Sequence, residues 1–164
     1  MKTAYSELTA ASYSPGSAIV RRILCPTNLN CTSRQALEVA ITVARQNNAE
    51  IFIVHALPPP TPIFETESTY RDQAEAALIR LKERISSRGI QTRRVLIKGT
   101  LPVPVSIARC AYFFGADLIV VGTRGRTGVS RILAGSVAAK LIRIAPCPVL
   151  VVKRLKNRSR KWLT

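Results

Sequence analysis

Several chemistries find no support in these 164 residues. There is no GxxxxGK[ST] and no GxGxxG, so neither Walker-type hydrolysis nor a dinucleotide site has a motif behind it. The four cysteines, at 25, 31, 110 and 147, form no CxxC and stand in no Cys/His spacing suited to zinc, and they make no disulfide framework. Cys25, Cys110 and Cys147 fall in or beside predicted strands and helices and read as small core residues, while Cys31 falls in a loop or at a helix start. No apolar run approaches the roughly 20 residues of a membrane-spanning helix. The first residues lack the pattern of a secretory signal, so a cytoplasmic location is expected. Acidic residues are scarce, 9 against 25 Lys and Arg, for a formal charge of +16. Such a charge attracts polyanions, nucleotides and anionic membranes without choosing among them, and it reads equally as a diffuse basic surface. The length suits one domain, and an apolar share of 47% is enough for a sizeable core.

The densest signal runs from Asp117 to Lys153. Leu118–Val121 is a short, continuous apolar run that stops at Gly122, as a strand covered on both faces would. A polar loop with Gly122, Gly125, Gly128 and Gly135 follows, and Gly135-Ser136 opens a helix. Pro146-Cys147-Pro148 breaks that helix before a last strand, Val149–Val152. A glycine loop between a strand and a helix N-terminus can present free backbone N–H groups to phosphate, and the helix dipole favours an anion there. Thr123, Arg124, Arg126, Thr127, Ser130 and Arg131 add hydroxyls and positive charge, and Ser136 can cap its helix or donate to a phosphate oxygen. On these residues alone, an ordinary glycine-rich surface loop fits as well as a phosphate cradle.

The rest of the chain alternates in the same way. Residues 1–17 show no sustained period and read as an N-terminal extension. A first strand is predicted over Ala18–Cys25, with a turn over Pro26–Asn30. Ser33 is expected to cap a helix with Ala36, Leu37, Ala40, Ile41 and Ala44 on its apolar face, ending near Asn47-Asn48. Ile51–Ala56 is the second strand, and the prolines from Pro58 to Pro62 read as an extended spacer. A helix over Tyr70–Ser87 stops at Gly89, with Glu75 among the residues of its solvated face. A third strand covers Thr92–Lys98 and a turn Gly99–Pro104. A third helix, Val105–Phe114, has Ile107, Ala108, Ala111 and Tyr112 as its apolar side and is closed by Gly115. This alternation predicts a single α/β domain with a parallel sheet and helices on both faces.

The pattern Gly122-x2-Gly125-x9-Gly135-Ser136, followed by a helix and PCPVLVVK, resembles the nucleotide-binding branch of the universal stress protein family, and the resemblance spans roughly residues 19 to 153. It implies a Rossmann-like sandwich with a five-stranded parallel sheet in the order 3-2-1-4-5. The domain would occupy residues 18–153, with 154–164 a basic tail. Ligands would then lie where the winding reverses, beyond the carboxyl ends of strands 1 and 4. The resemblance implies ATP or AMP as cofactor, with Gly122, Gly125, Gly135 and Ser136 around the phosphates, accompanied by Thr123, Arg124 and Arg126. Val121 and Val137 would flank them, Pro26, Thr27 and Asn28 would meet the base, and Ala56 would pack on the adenine. Where the family usually reads Pro-Thr-Asp, this chain has Asn28, which keeps an acceptor, loses the charge and adds two donors. Mg2+ or Mn2+ would be held through the phosphates. The resemblance also implies a homodimer through the edge strand 149–152.

His55, the only histidine, is expected to be structural, and Asp117 falls at the amino end of its strand, away from the cleft. No general base or metal-binding carboxylate stands out, so binding with little turnover is expected, as a stress-response regulator or switch. The tail from Lys153 to Thr164, rich in Lys and Arg and carrying Trp162, supports an alternative: a scaffold for nucleic acid or an acidic protein with an idle nucleotide site. Slow ATP hydrolysis is a third reading, and its only motive is the nucleotide site itself.

Overall fold

Apolar strands separated by amphipathic stretches can hide their apolar surface only by stacking into a sheet covered on both sides. A computed structural model describes residues 19–29, 31–57, 67–98, 101–123 and 136–153. Within them the elements are β1 (Arg22–Pro26), α1 (Cys31–Asn47), β2 (Glu50–Ala56), α2 (Glu67–Ser86), β3 (Thr92–Ile97), α3 (Val103–Phe113), β4 (Leu118–Thr123), α4 (Ser136–Ile144) and β5 (Val149–Lys153). The strands form one parallel sheet in the order β3-β2-β1-β4-β5.

Successive strand residues point to opposite faces, and each face has its own core. Ile23, Cys25, Ile51, Ile53 and Val120 meet α1 and α2 through Ala40, Ile41, Leu78 and Ile85. Leu24, Phe52, Val54, Ile119 and Val121 meet α3 and α4 through Ile107, Ala111, Ala138 and Leu141. Both faces being covered is why the inner strands β1, β2 and β4 read as largely apolar runs, while the edge strand β3 opens with Thr92, Arg93 and Arg94. At roughly 1.5–3 kcal/mol for each fully buried Leu, Ile or Val, these two layers are the main stabilising force. Among the described residues no helix is long and apolar enough to cross a membrane.

Several boundaries differ from the sequence expectation. β1 begins at Arg22 rather than at residue 18, since its pairing with β2 starts at Arg22 opposite Glu50, and Ile19 before it is 53% exposed. α1 begins at Cys31, so Ser33 lies inside the first turn and is not the cap. α2 starts at Glu67 and ends at Ser86, and Glu75, expected on the solvated face, pairs with Arg94 of β3. β3 ends at Ile97. α3 starts at Val103 and takes Pro104 into its first turn, where a missing N–H leaves no helical bond unmade. Tyr112 is 54% exposed, not on the apolar side: Ile107 and Ala111, four apart, face the core, and the next residue along turns away. β4 runs through Gly122 and Thr123, held by pairing to Val152 and Lys153 of β5.

The amino edge of the sheet is tied by Asp117. Its carboxylate accepts hydrogen bonds from the backbone N–H groups of Arg21 and Arg22, each at 2.8 Å. Beside it Gly115 ends α3 at a φ of 58°, a left-handed conformation that any Cβ would strain. A Cβ there would also approach Arg22 Nη1 to 2.9 Å, which that flexible side chain can relieve. Gly115→Ala is therefore expected to cost about 1–2 kcal/mol, from the backbone alone. Chemical denaturation of the variant checks this.

Candidate functional site

The pairing of β1 with β4 covers Ile23 with Leu118 and Leu24 with Ile119, and ends there. Pairing of β1 with β2 continues to Pro26 and Val54, and the N–H of Thr27 still reaches the Val54 carbonyl at 2.8 Å. Pairing of β4 with β5 continues to Thr123. Each strand thus stays with its outer neighbour while the two inner strands separate, and the carboxyl edge of the sheet parts between β1 and β4. A parting at the point where strand order reverses is where open α/β sheets hold ligands.

Sequence and packing shape both banks of the crevice. On the β1 bank, the Thr27 side chain is buried and its hydroxyl lies 2.9 Å from that of Ser33, which pins the turn to the first turn of α1. Thr27 Oγ1 also accepts the Leu29 N–H at 3.0 Å, holding Leu29 at a φ of 61°. Such a conformation costs a leucine about 1 kcal/mol or more, so the turn is fixed by its hydrogen bonds and not by preference. Asn28, between them, is exposed. On the β4 bank stand Gly122, half-buried, and Thr123, buried. α4 starts at Ser136.

His55 locks the β1 bank from beneath. It is 4% exposed, and its Nδ1 lies 2.8 Å from the Thr27 carbonyl oxygen. A carbonyl only accepts, so Nδ1 carries the proton, and in the neutral ring Nε2 accepts from the Tyr70 hydroxyl at 3.4 Å. Both nitrogens are engaged in joining β2, the turn after β1 and α2. His55→Leu would leave the buried Thr27 carbonyl without its donor and is expected to destabilise by about 1–3 kcal/mol. Tyr70→Phe removes only a long bond at the edge and should cost less. Urea denaturation of both variants checks the order. Sequence reasoning missed Tyr70 and the Thr27–Ser33 link, because neither has a local signature.

The remaining candidates divide. Pro26, Thr27 and Asn28 come together with Gly122 and Thr123 at the parted edge. Ala56, half-buried, ends β2 on the same edge, opposite Ile97. Val121, 4% exposed, turns into the core beneath α3 and α4, and Val137 packs against the same cluster. Arg124, Gly125, Arg126 and Gly135 lie outside the described residues, as do Gly128, Arg131 and the proline spacer 58–62. Asp117 stands at the opposite edge. Three of the four thiols are poor nucleophiles: burial pushes Cys25 up to about 12 and Cys110 up to about 11. Cys147 is raised to about 11 by burial, with the Asp117 charge adding to it.

A sequence model of the Universal stress protein family matches residues 20–153. A universal stress protein of Methanocaldococcus jannaschii is 33% identical over 151 residues, which is 87% of this chain and 87% of the relative. The crystal structure of a universal stress protein family member from Burkholderia pseudomallei is similar at a TM-score of 0.68 and 27% identity, covering 84% of this chain and 98% of that one. A universal stress protein solved in complex with cAMP is similar at a TM-score of 0.59 and 25% identity, covering 82% of this chain and 98% of that one. With its glycine spacing, its strand order and a family match that spans the whole sheet, the chain belongs to the universal stress protein family.

Proposed function

We propose that this chain binds an adenine nucleotide, ATP or AMP, in the crevice between β1 and β4 and acts as a stress-response regulator or switch with little turnover. The observation that carries this reading is the parting of the sheet after Leu24 and Ile119, with Gly122 on one bank and Asn28 on the other. The family relative solved with cAMP supports the choice of ligand class. The phosphates lie against Gly122, Gly125, Gly135 and the N-terminus of α4 at Ser136, with Thr123, Arg124 and Arg126 beside them. Val121 and Val137 back this wall from the core. The base meets Pro26, Thr27 and Asn28 and rests on Ala56. An asparagine amide can donate to one ring nitrogen of adenine and accept from its exocyclic amine, a pairing a carboxylate cannot make. Among the described residues no three His, Cys, Asp or Glu side chains gather, so Mg2+ or Mn2+ would be held by the phosphates. Residues 18–153 carry the site, with 1–17 and the basic tail 154–164 appended to it.

Mild denaturation of freshly purified protein should release an adenine nucleotide, and stripped protein should bind AMP or ATP with micromolar affinity. No released nucleotide and no binding up to millimolar AMP would contradict the reading. The outer edge of β5 offers a dimer contact: the strand pairs with β4 on one side, and Leu150 is 39% exposed. Light scattering should then give twice the 18.0 kDa chain mass, and Val151→Pro, which blocks edge pairing, should return the monomer mass.

A further inference from the structure

A groove between α1 and α2 adjoins the β1 bank of the crevice, sharing Thr27 with it, and carries its own set of cations. Its floor is mostly aliphatic, with Leu37 only 4% exposed and Leu29 and Leu81 half-buried, beside the buried Thr27 and Ser33. Its rim is Arg34 from α1 and Arg80 and Arg84 from α2, around a cleft of about 270 Å³. Arg80 and Arg84 are four residues apart on one helix, so they stack about 6 Å from each other on the same side. The only carboxylate engaged there among the described residues is Glu38, which holds Arg88 at 2.8 Å and Arg84 at 3.6 Å. Neither Arg34 nor Arg80 has an ion-pair partner among the described residues. Glu38 thus engages Arg84 and Arg88, while Arg34 and Arg80 add positive charge without an ion pair among the described residues.

The chemistry of floor and rim together selects a partner. Guanidinium forks match carboxylates in a two-point geometry, and Arg clusters are a recurring means of reading acidic segments. A cleft of this volume takes one large apolar side chain. Single-stranded nucleic acid is held chiefly by stacking bases on aromatic rings, and no aromatic residue lines this cleft. We propose that the α1–α2 groove docks an acidic peptide segment of a partner protein, with one apolar side chain in the cleft and flanking Asp or Glu residues on Arg34, Arg80 and Arg84.

The test is fluorescence anisotropy of a labelled, glutamate-rich synthetic peptide with a single central leucine, titrated with the full chain. Saturable one-to-one binding is expected. It should weaken about fivefold or more when the central leucine is replaced by serine, since the burial of one apolar side chain is lost. It should weaken at least about tenfold in the Arg34→Ala/Arg80→Ala double variant, as two charged contacts disappear. Both arginines are exposed, and an unchanged circular dichroism spectrum confirms that the variant is folded. Three results would each overturn the proposal: no saturable binding, binding indifferent to the double variant but lost with residues 154–164, or tighter binding of an oligothymidylate through the same arginines.

Discussion

Gly135→Leu should weaken AMP binding by a hundredfold or more while moving the melting temperature by no more than a few degrees. The residue stands immediately before Ser136, the first residue of α4. The N–H groups of a helix's first turn have no partners within the helix, and they point toward whatever lies beyond it. An anion can approach them only where no side chain intervenes, and on the proposed reading a leucine at 135 would compete with the phosphate for that space. Losing two or more charge-assisted bonds, each about 1.5–3 kcal/mol, is enough for that factor. In the proposed role residue 135 serves the ligand and not the buried layers, so the fold should keep its stability. Isothermal titration paired with thermal melting separates the two effects. Gly135→Ala should fall between, because a methyl group intrudes less.

The second large effect concerns stability. Ile53→Ala should destabilise the fold by about 2–5 kcal/mol. Ile53 is fully buried on β2, paired to Cys25 on one side and Arg94 on the other, and packs in the cluster beneath α1 and α2. Alanine removes three carbons and leaves a cavity that neighbours held in two directions cannot close. For a domain whose total stability is on the order of 5–15 kcal/mol, that is a large share, and the melting temperature should fall by about 10 °C. Ile142→Ala, at a residue 56% exposed on α4, should change stability by less than about 0.5 kcal/mol. The contrast between two isoleucines separates burial from residue type.

What was legible in the sequence was whatever depends on local pattern. Strands buried on both faces have only one composition open to them, so Ile51–Ala56 and Leu118–Val121 announced themselves. Gly89 and Gly115 end their helices at positive φ, 78° and 58°, as glycine after an amphipathic stretch should. What was illegible depends on partners distant in sequence. Ser33 has the composition of a cap, but its hydroxyl is held by Thr27 inside the helix, and only the fold brings the two together. Gly122 reads as the first residue of a loop, yet β5 extends the strand through it. Tyr112 fits the helical spacing, but α3 shows the core too narrow a stripe to include it. The likeness of the glycine spacing to a known family gave the candidate site its residues. That likeness also put the crevice beyond strands 1 and 4; where their pairing stops, after Leu24 and Ile119, could be seen only in the sheet.

An adenylate lying in the parting of β1 from β4 would perturb the backbone on both of its banks. Backbone amide resonances of isotopically labelled protein, followed as AMP is added, test it most directly. Saturable shifts are expected at Thr27, Asn28, Gly122, Thr123, Ser136 and Val137, with Gly115 and Asp117 at the opposite edge unmoved. Absence of shifts at millimolar AMP, or shifts confined to residues away from the carboxyl ends of β1 and β4, would contradict it.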